Sequence, residues 1–209
     1  MKVIVFGATG TIGKLVVEGI LEAGHDVTAF ARNPDKLQLA HSNLMSASGD
    51  VMDQQAVSDA VKGHDAVIVV LGAGMSRKSK VRSVGTSHVI EAMREHGVHR
   101  LICQSTLGAH ESWDNLNFYW KRIMFGLILR PVFLDHELQE NLVWQSGLDW
   151  TIVRPSSFTD EPASGRYKVG FDARERELSL KISRADVADF IKRELTDASF
   201  IGHAVGVSY

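Results

Sequence analysis

Two kinds of hydrophobic pattern alternate along the chain. Short continuous apolar runs, typical of strands covered on both faces, occupy residues 3–6, 27–31, 44–47, 65–71, 100–103 and 150–153. Between them, apolar residues recur at helical spacing over residues 12–23, 54–62, 81–96 and 134–145. The alternation predicts an α/β fold in which a doubly wound parallel sheet lies between two layers of helices.

The end of the chain follows this pattern less closely. From Pro155 onward the alternation loosens, and we expect loops that contact a substrate there. A last helix is predicted to begin at Ser183, because Asp186 three residues later completes a capping-box-like start. No repeat or linker interrupts the chain, so we predict a single domain over residues 1–209.

Composition narrows the classes of function. The net charge of −2 argues against a protein that binds nucleic acid along its surface. The longest uncharged apolar run, residues 123–129, is much shorter than the roughly 20 residues of a membrane span, and no signal peptide is predicted because Gly7 ends the first apolar run. With Cys103 as its only cysteine, the chain can form no internal disulfide or cysteine-based zinc site. We expect a core role for Cys103 and a reducing, cytoplasmic setting.

A glycine-rich turn follows the first predicted strand. Residues 7–13 read Gly-Ala-Thr-Gly-Thr-Ile-Gly and open the first predicted helix. Gly7 permits a tight turn, Gly10 lets a pyrophosphate approach the backbone, and Gly13 lets the helix pack close to the sheet. The helix N-terminus adds unpaired N–H groups that favour phosphate. This context predicts a Rossmann-like dinucleotide site, with a purely structural turn as the alternative.

The end of the second predicted strand indicates which dinucleotide binds. NAD sites usually place an Asp or Glu there to bind the ribose hydroxyls. This strand is followed by Arg32, and Asp26 lies at its opposite end. Arg32, with Lys36 one turn later, suits a 2′-phosphate because its guanidinium donates through a fork of N–H groups. We therefore predict NADP(H) rather than NAD, with a solvated surface arginine as the alternative.

Two further turns complete the predicted cofactor groove. Asp50 and Val51 follow the third strand, where a carboxylate can meet the adenine amino group. Small residues after the fourth strand let a cofactor pass over the sheet edge, in a turn that consists of Leu71, Gly72, Ala73 and Gly74. Open α/β sheets bind ligands at such carboxyl ends of strands. Each turn could also be an ordinary strand-to-helix connection.

The chain resembles the atypical short-chain dehydrogenase/reductase family, and within it the biliverdin-IXβ reductase and flavin reductase group. Five ordered segments carry the resemblance: GATGTIG, FARNPDKL, GDV, DAVIVVLG and SGLDWTIVRPSSFTDEPASGRYKV. It covers nearly the whole chain and is weak over residues 111–135. The resemblance implies an NADPH-dependent reductase that passes a hydride to a planar acceptor such as FMN, FAD, a bilin or a quinone.

The same resemblance implies the site residues. Those that would contact the cofactor are Gly7, Thr9, Gly10, Thr11, Ile12, Gly13, Arg32, Asp50, Val51, Gly72, Pro155, Ser156, Ser157 and Phe158. Ser105 and Thr106 match a Ser/Thr pair beside the nicotinamide, and His136 matches a histidine that opens a helix in this reductase group. His136 could orient the cofactor or acceptor, or act as an acid. The ordinary alternatives are a strand-end hydroxyl bonded to backbone for Ser105 and a surface histidine for His136.

One departure from the wider superfamily bears on the reaction. Its dehydrogenases use a Tyr-x-x-x-Lys pair to move a proton at an alcohol oxygen, but here the two positions hold Val132 and His136. Tyr119 does not restore the motif, because Ile123 stands four residues later. Alcohol–ketone interconversion and sugar epimerisation therefore lose their general acid/base. Reduction of a flavin or tetrapyrrole needs less, because the hydride goes to a conjugated atom.

Several alternatives stay open. The aromatic-rich residues 113–133 could form a wall or lid over a flat acceptor, a buried helix or a dimer face, and Lys121, Arg122 and Arg130 could attract an anionic acceptor. The helix at His136 lacks the second histidine of a metal site, so no metal is predicted. We expect a monomer or homodimer that binds neither nucleic acid nor membrane. The rival functions are a non-catalytic NADP(H)-sensing regulator and an NAD(P)-dependent epimerase or dehydratase.

Overall fold

Ten strands and five α-helices make up the framework of the part of the protein that the structure describes. The computed structural model describes residues 1–72, 74 and 80–209. The strands are β1 Lys2–Phe6, β2 Asp26–Ala31, β3 Leu44–Ser48, β4 Ala66–Val69, β5 Arg100–Gln104, β6 Asp149–Pro155, β7 Ser157–Thr159, β8 Lys168–Val169, β9 Lys181–Ser183 and β10 His203–Ser208. The helices are α1 Thr11–Glu22, α2 Gln54–Val61, α3 Val81–His96, α4 Arg130–Trp144 and α5 Arg184–Arg193.

Eight of the strands form one sheet, in the order β3-β2-β1-β4-β5-β6-β10-β8. All neighbours are parallel except β10 and β8, and β7 pairs with β9 in a separate small sheet. The strand order reverses between β1 and β4, where Phe6 and Val69 are partners at the carboxyl ends. Such a reversal opens a crevice outside the strand ends, and ligands of doubly wound sheets bind there.

The two faces of the sheet carry separate apolar cores. Helices α1 and α5 cover one face through residues such as Val16 and Ile191. Helices α2, α3 and α4 cover the other face through residues such as Val57, Val89 and Val143. The predicted single-domain, doubly wound α/β fold is therefore confirmed. No helix in the described part of the chain is long and apolar enough to cross a membrane.

The predicted elements are found with shifted ends. Helix α4 begins at Arg130 rather than at residue 134, because Pro131 lies in the first turn, where its missing N–H is not needed. The ladder of β4 ends at Val69, where its partner β1 also ends. The predicted start of α5 is correct, since Ser183 Oγ accepts a hydrogen bond from the Asp186 N–H at 3.0 Å. Strands β7 to β10 were not predicted.

A buried ion pair fastens α4 to the sheet. Arg154 on β6 and Glu140 on α4 are each about 1% exposed at the side chain, and Arg154 Nε and Nη2 donate to the Glu140 carboxylate at 3.0 Å and 2.6 Å. Glu111, whose side chain is 62% exposed, also bonds to Arg154. Burial alone would lower the pKa of Arg154, but the hydrogen bonds and charges of the two carboxylates raise it.

Removing either carboxylate tests how much this pair contributes to stability. We expect Glu140→Gln to lower the free energy of unfolding by about 3–5 kcal/mol, because it leaves a buried guanidinium incompletely compensated. Glu111→Gln is the matched control, and it should cost about 1 kcal/mol or less because water already screens that carboxylate. Urea unfolding of the wild type and both variants measures the difference. Equal losses of stability in the two variants would show that the different burial of Glu140 and Glu111 does not determine how much each contact contributes.

Candidate functional site

The glycine-rich turn joins β1 to the N-terminus of α1. Gly7 has φ +88°, and a Cβ built there would lie 2.5 Å from the Val70 carbonyl oxygen. A Cβ at Gly13 would lie 2.1 Å from the Gly7 carbonyl oxygen. At Gly10 the nearest atom is 3.2 Å away, and no side chain caps the helix there. Gly7 and Gly13 are therefore packing requirements, whereas Gly10 leaves the helix N-terminus open to a phosphate.

A cavity of about 320 Å³ lies beside this turn, at the carboxyl ends of β4, β5 and β6. It brings together residues that are far apart in the chain. The predicted site residues that line it are Gly10, Thr11, Ile12, Leu71, Gly72, Ser105, Thr106, His136, Pro155, Ser156, Ser157 and Phe158. The glycine-rich turn, the Ser/Thr pair and the turn after β6 therefore share one cavity.

Other predicted residues lie outside the cavity wall. Gly7, Thr9 and Gly13 belong to the glycine-rich turn but do not line the cavity. Arg32, Asp50 and Val51 lie at the carboxyl ends of β2 and β3, farther along the same sheet edge. Arg32 and Asp50 are exposed, as is Gly74. Ala73 is outside the described residues.

Several polar atoms of the cavity have no partner in the part of the chain that the structure describes. They are Gln104 Oε1, Ser105 Oγ, His136 Nδ1, Ser156 Oγ and two nitrogens of Arg82. Buried polar atoms in proteins are normally hydrogen-bonded, because an unpaired one costs free energy. Their convergence in one cavity indicates a ligand with several hydrogen-bonding groups.

Ser105 directly follows β5 and lines the cavity. It is 3% exposed, and its Oγ forms no hydrogen bond with a described residue. The alternative of a hydroxyl bonded to the backbone therefore does not apply to Ser105. Thr106 does make such a contact, since its Oγ1 donates to the Leu107 carbonyl at 3.3 Å. Cys103, which lies on β5 two residues before Ser105, is buried in the core, where burial raises the pKa of the thiol.

His136 does not open a helix, as the resemblance implied, but lies inside α4 because that helix begins at Arg130. It is 7% exposed, so the surface alternative is wrong. Burial, followed by the nearby charge of Arg82, lowers the pKa of His136 to about 3. The imidazole is therefore neutral at neutral pH. It can orient a ligand through a hydrogen bond, but it carries no second proton to donate as an acid.

The aromatic-rich residues 113–133 form one wall of the cavity. A π-helix, Tyr119–Ile128, runs through this stretch, and its inner side presents Trp120 and Phe125 to the cavity. Phe125 stacks on Phe133 with ring centroids 4.8 Å apart. The outer side of the π-helix remains exposed, with Leu127 at 77%. The interpretation as a cavity wall thus applies to the inner side.

Sequence reasoning missed several residues of the lining, and three of them show why. Arg82 lies at the start of α3, Gln104 is the last residue of β5, and Leu180 precedes β9. Gln104 could have been found, because it directly follows the apolar run of a predicted strand. Arg82 and Leu180 carry no local signal, because only the packing of distant segments brings them to the cavity. Within the described residues, no group of His, Cys, Asp and Glu is arranged to hold a metal ion.

The roles of the glycines predict two different defects. Gly10→Val should abolish dinucleotide binding, because the side chain fills the space beside the helix N-terminus, at a cost in stability of about 1 kcal/mol. Gly13→Ala should instead destabilise the fold by about 1–3 kcal/mol or more, because its Cβ collides with backbone. Calorimetric titration and thermal unfolding separate the two. Unchanged binding in Gly10→Val would contradict the assignment of the turn.

The buried histidine predicts a pH dependence of stability. The pKa of His136 is about 3 in the folded protein against 6.5 for a free histidine, so between these values only the unfolded chain binds the proton. Stability should therefore fall as the pH drops below about 6.5, at up to about 1.4 kcal/mol per pH unit. His136→Gln should lack this component. Urea unfolding of both proteins at neutral and mildly acidic pH tests it, and parallel curves would contradict the prediction.

Comparison with known proteins agrees with this geometry. The sequence model of the NAD(P)H-binding protein family matches residues 7–198. A curated relative, the uncharacterized sugar epimerase YhfK of Bacillus subtilis, is 29% identical over 207 residues, which cover 94% of this chain and 89% of the relative.

Solved structures share the fold over nearly the full length. ChuY, an anaerobillin reductase from Escherichia coli O157:H7, superposes with a TM-score of 0.82 at 24% identity, covering 99% of this chain and 96% of ChuY. A short-chain dehydrogenase/reductase from Veillonella parvula in complex with NADP gives a TM-score of 0.82 at 18% identity, covering 100% and 94%. These identities establish the fold alone. The match over residues 7–198 shows more: the chain belongs to the NAD(P)H-binding family, in agreement with its resemblance to atypical short-chain dehydrogenase/reductases.

Proposed function

We propose that the protein is an NADPH-dependent reductase of planar, conjugated acceptors such as flavins, bilins or quinones. One observation carries the proposal: a cavity connects the N-terminus of α1 to an aromatic wall, and the described part of its lining holds Val132 and His136 at the positions where alcohol dehydrogenases have their acid–base pair. A reduced nicotinamide, when bound, supplies a hydride.

The polar lining fits such a cofactor. The backbone N–H groups of Thr11 and Ile12 would hold the pyrophosphate at the start of α1, beside Gly10, whose own N–H already donates to the Gly7 carbonyl at 2.9 Å. The hydroxyls of Ser105 and Ser156, which have no hydrogen-bond partner among the described residues, would bind the nicotinamide carboxamide, which both donates and accepts hydrogen bonds. Burial of these hydroxyls excludes water from competing for the same contacts.

The apolar lining fits a flat acceptor. Trp120 and Phe125 present aromatic surface on one side of the cavity, and Leu116 and Leu129 extend it. Aromatic and aliphatic side chains with a few placed polar groups are typical of small-molecule sites. A conjugated ring system can stack on such a wall at offset or tilted angles.

The missing acid–base pair limits the chemistry. Reduction of a ketone or epimerisation of a sugar needs a group that moves a proton at an oxygen. Val132 lines the cavity at the tyrosine position and has no such group, and His136 at the lysine position is neutral. A conjugated acceptor takes the hydride at carbon or nitrogen and spreads the negative charge over its rings. Water that enters the cavity can then provide the proton.

Turnover provides the direct test. The protein and NADPH are mixed with FMN, biliverdin or a quinone in the absence of oxygen. The near-ultraviolet absorbance of NADPH is then followed. We expect NADPH oxidation with at least one acceptor, no oxidation by Gly10→Val, and unchanged oxidation by Arg122→Gln, a change at an exposed position of the π-helix. Binding of NADPH without oxidation would favour the non-catalytic regulator. If a sugar nucleotide is added instead and is converted without net oxidation of NADPH, the result would favour the epimerase.

The choice of NADPH over NADH gives a further prediction. Arg32 is exposed at the end of β2, and its side chain forms no hydrogen bond or ion pair with the residues that the structure describes. Its donors are therefore free for a 2′-phosphate, through charge-assisted hydrogen bonds worth roughly 1.5–3 kcal/mol each. Solvent screening at this open position favours the lower half of the corresponding 10- to 100-fold range.

We expect NADPH to bind more tightly than NADH, and Arg32→Ala to remove most of the difference by weakening NADPH about tenfold while sparing NADH. Lys36→Ala, an exposed cation four residues later, should have a smaller effect. Fluorescence titration of both cofactors against the three proteins measures this. Equal affinities of the wild type for NADPH and NADH would show that Arg32 does not bind a 2′-phosphate.

A further inference from the structure

Arg82 is a cation inside the cavity that the proposed function leaves unused. It lies in the first turn of α3, and its side chain is 12% exposed. Its Nε and Nη1 have no hydrogen-bond partner among the described residues. Of the described residues that line the cavity, it alone carries a permanent positive charge.

The neighbouring carboxylate does not satisfy this guanidinium. Asp135 accepts hydrogen bonds from the backbone N–H groups of Arg82 and Ser83, both at 3.2 Å, and from Ser83 Oγ at 2.5 Å. It thereby caps the N-terminus of α3 from α4. Its Oδ2 is 4.0 Å from Arg82 Nη1, which is too far for a hydrogen bond. The donors of Arg82 thus remain available while its charge is only partly compensated.

A buried cation with unused donors favours binding of an anion. Water solvates such a group poorly, and an oxyanion restores both charge balance and hydrogen bonding. Burial lowers the pKa of Arg82 and the charge of Asp135 raises it, which agrees with a guanidinium largely removed from water. A planar carboxylate or a phosphate matches the fork of guanidinium N–H groups.

The surface cations named in the sequence analysis are less suited to this role. Lys121 Nζ lies 3.6 Å from Asp114 Oδ1. Arg122 and Arg130 are exposed, and neither lines the cavity. The pyrophosphate of a dinucleotide is accounted for by the start of α1, which belongs to the opposite helical layer. An anion bound at Arg82 would therefore belong to the acceptor rather than to the dinucleotide.

We propose that Arg82 binds an anionic group, a carboxylate or a phosphate, carried by the planar acceptor. This inference rests on the proposed reductase function and narrows it to amphipathic acceptors, with a flat ring against Trp120 and Phe125 and an oxyanion on Arg82. Neutral planar acceptors fit the same wall but leave the guanidinium unpaired.

Two matched ligand pairs test the proposal by binding alone. FMN and riboflavin differ by one phosphate, and biliverdin and its dimethyl ester differ by two carboxylate charges. Each is titrated by fluorescence into the protein saturated with NADP⁺. In at least one pair we expect the wild type to bind the anionic member about tenfold more tightly than the neutral one. Arg82→Gln should remove this preference by weakening the anionic ligand only, and Arg82→Lys should keep part of it.

Controls separate the possible sources of an effect. Arg122→Gln should keep the wild-type preference, and NADP⁺ should bind to Arg82→Gln as to the wild type. A loss of NADP⁺ affinity in Arg82→Gln with no change in acceptor preference would place the anion on the cofactor and overturn the proposal. A wild type that favours neither anionic ligand, or binds neither pair, would also overturn it. Anion preference without NADPH oxidation would leave the Arg82 site standing and refute the reductase function.

Discussion

The ion pair of Arg154 and Glu140 constrains which residues reach the cavity. Two opposite charges lie almost wholly out of water, and both are tolerated because hydrogen bonds join them and because the Glu111 carboxylate also bonds to Arg154. This fixes α4 in register against β6. His136 lies one turn before Glu140 on α4, and Ser156 follows Arg154 by two residues. The pair therefore helps to place the His136 imidazole and the Ser156 hydroxyl at the same cavity, although the two residues are 20 positions apart in the chain.

Removal from water also determines what the cavity can do. His136 stays neutral because burial and the charge of Arg82 both oppose its protonation. Arg82 supplies positive charge and hydrogen-bond donors to the cavity, and the neutral His136 supplies a ring nitrogen that can form a hydrogen bond. Val132 supplies neither charge nor a hydrogen bond. A site of this kind stabilises negative charge that spreads over a ligand, but it is poorly suited to removing a proton from an alcohol.

The cavity has two ends with different physical character. The start of α1 offers backbone N–H groups, and the close approach of α1 to the turn after β1 depends on the missing side chain of Gly13. The π-helix end offers aromatic and aliphatic surface. In the proposed reductase, polar recognition of a dinucleotide and apolar recognition of a flat ring would be combined within one cavity. The reversal of strand order between β1 and β4 creates the crevice in which both ends meet.

Local sequence determined the framework and the dinucleotide turn of this protein. Continuous apolar runs specify buried parallel strands, helical periodicity specifies the covering helices, and the spacing of Gly7, Gly10 and Gly13 is itself the geometry of the turn. The tertiary structure alone decided the charge and composition of the cavity. Arg82, Leu180 and the buried state of His136 depend on how distant segments pack, and burial, which controls pKa and hydrogen bonding, is a property of that packing rather than of any short stretch of sequence.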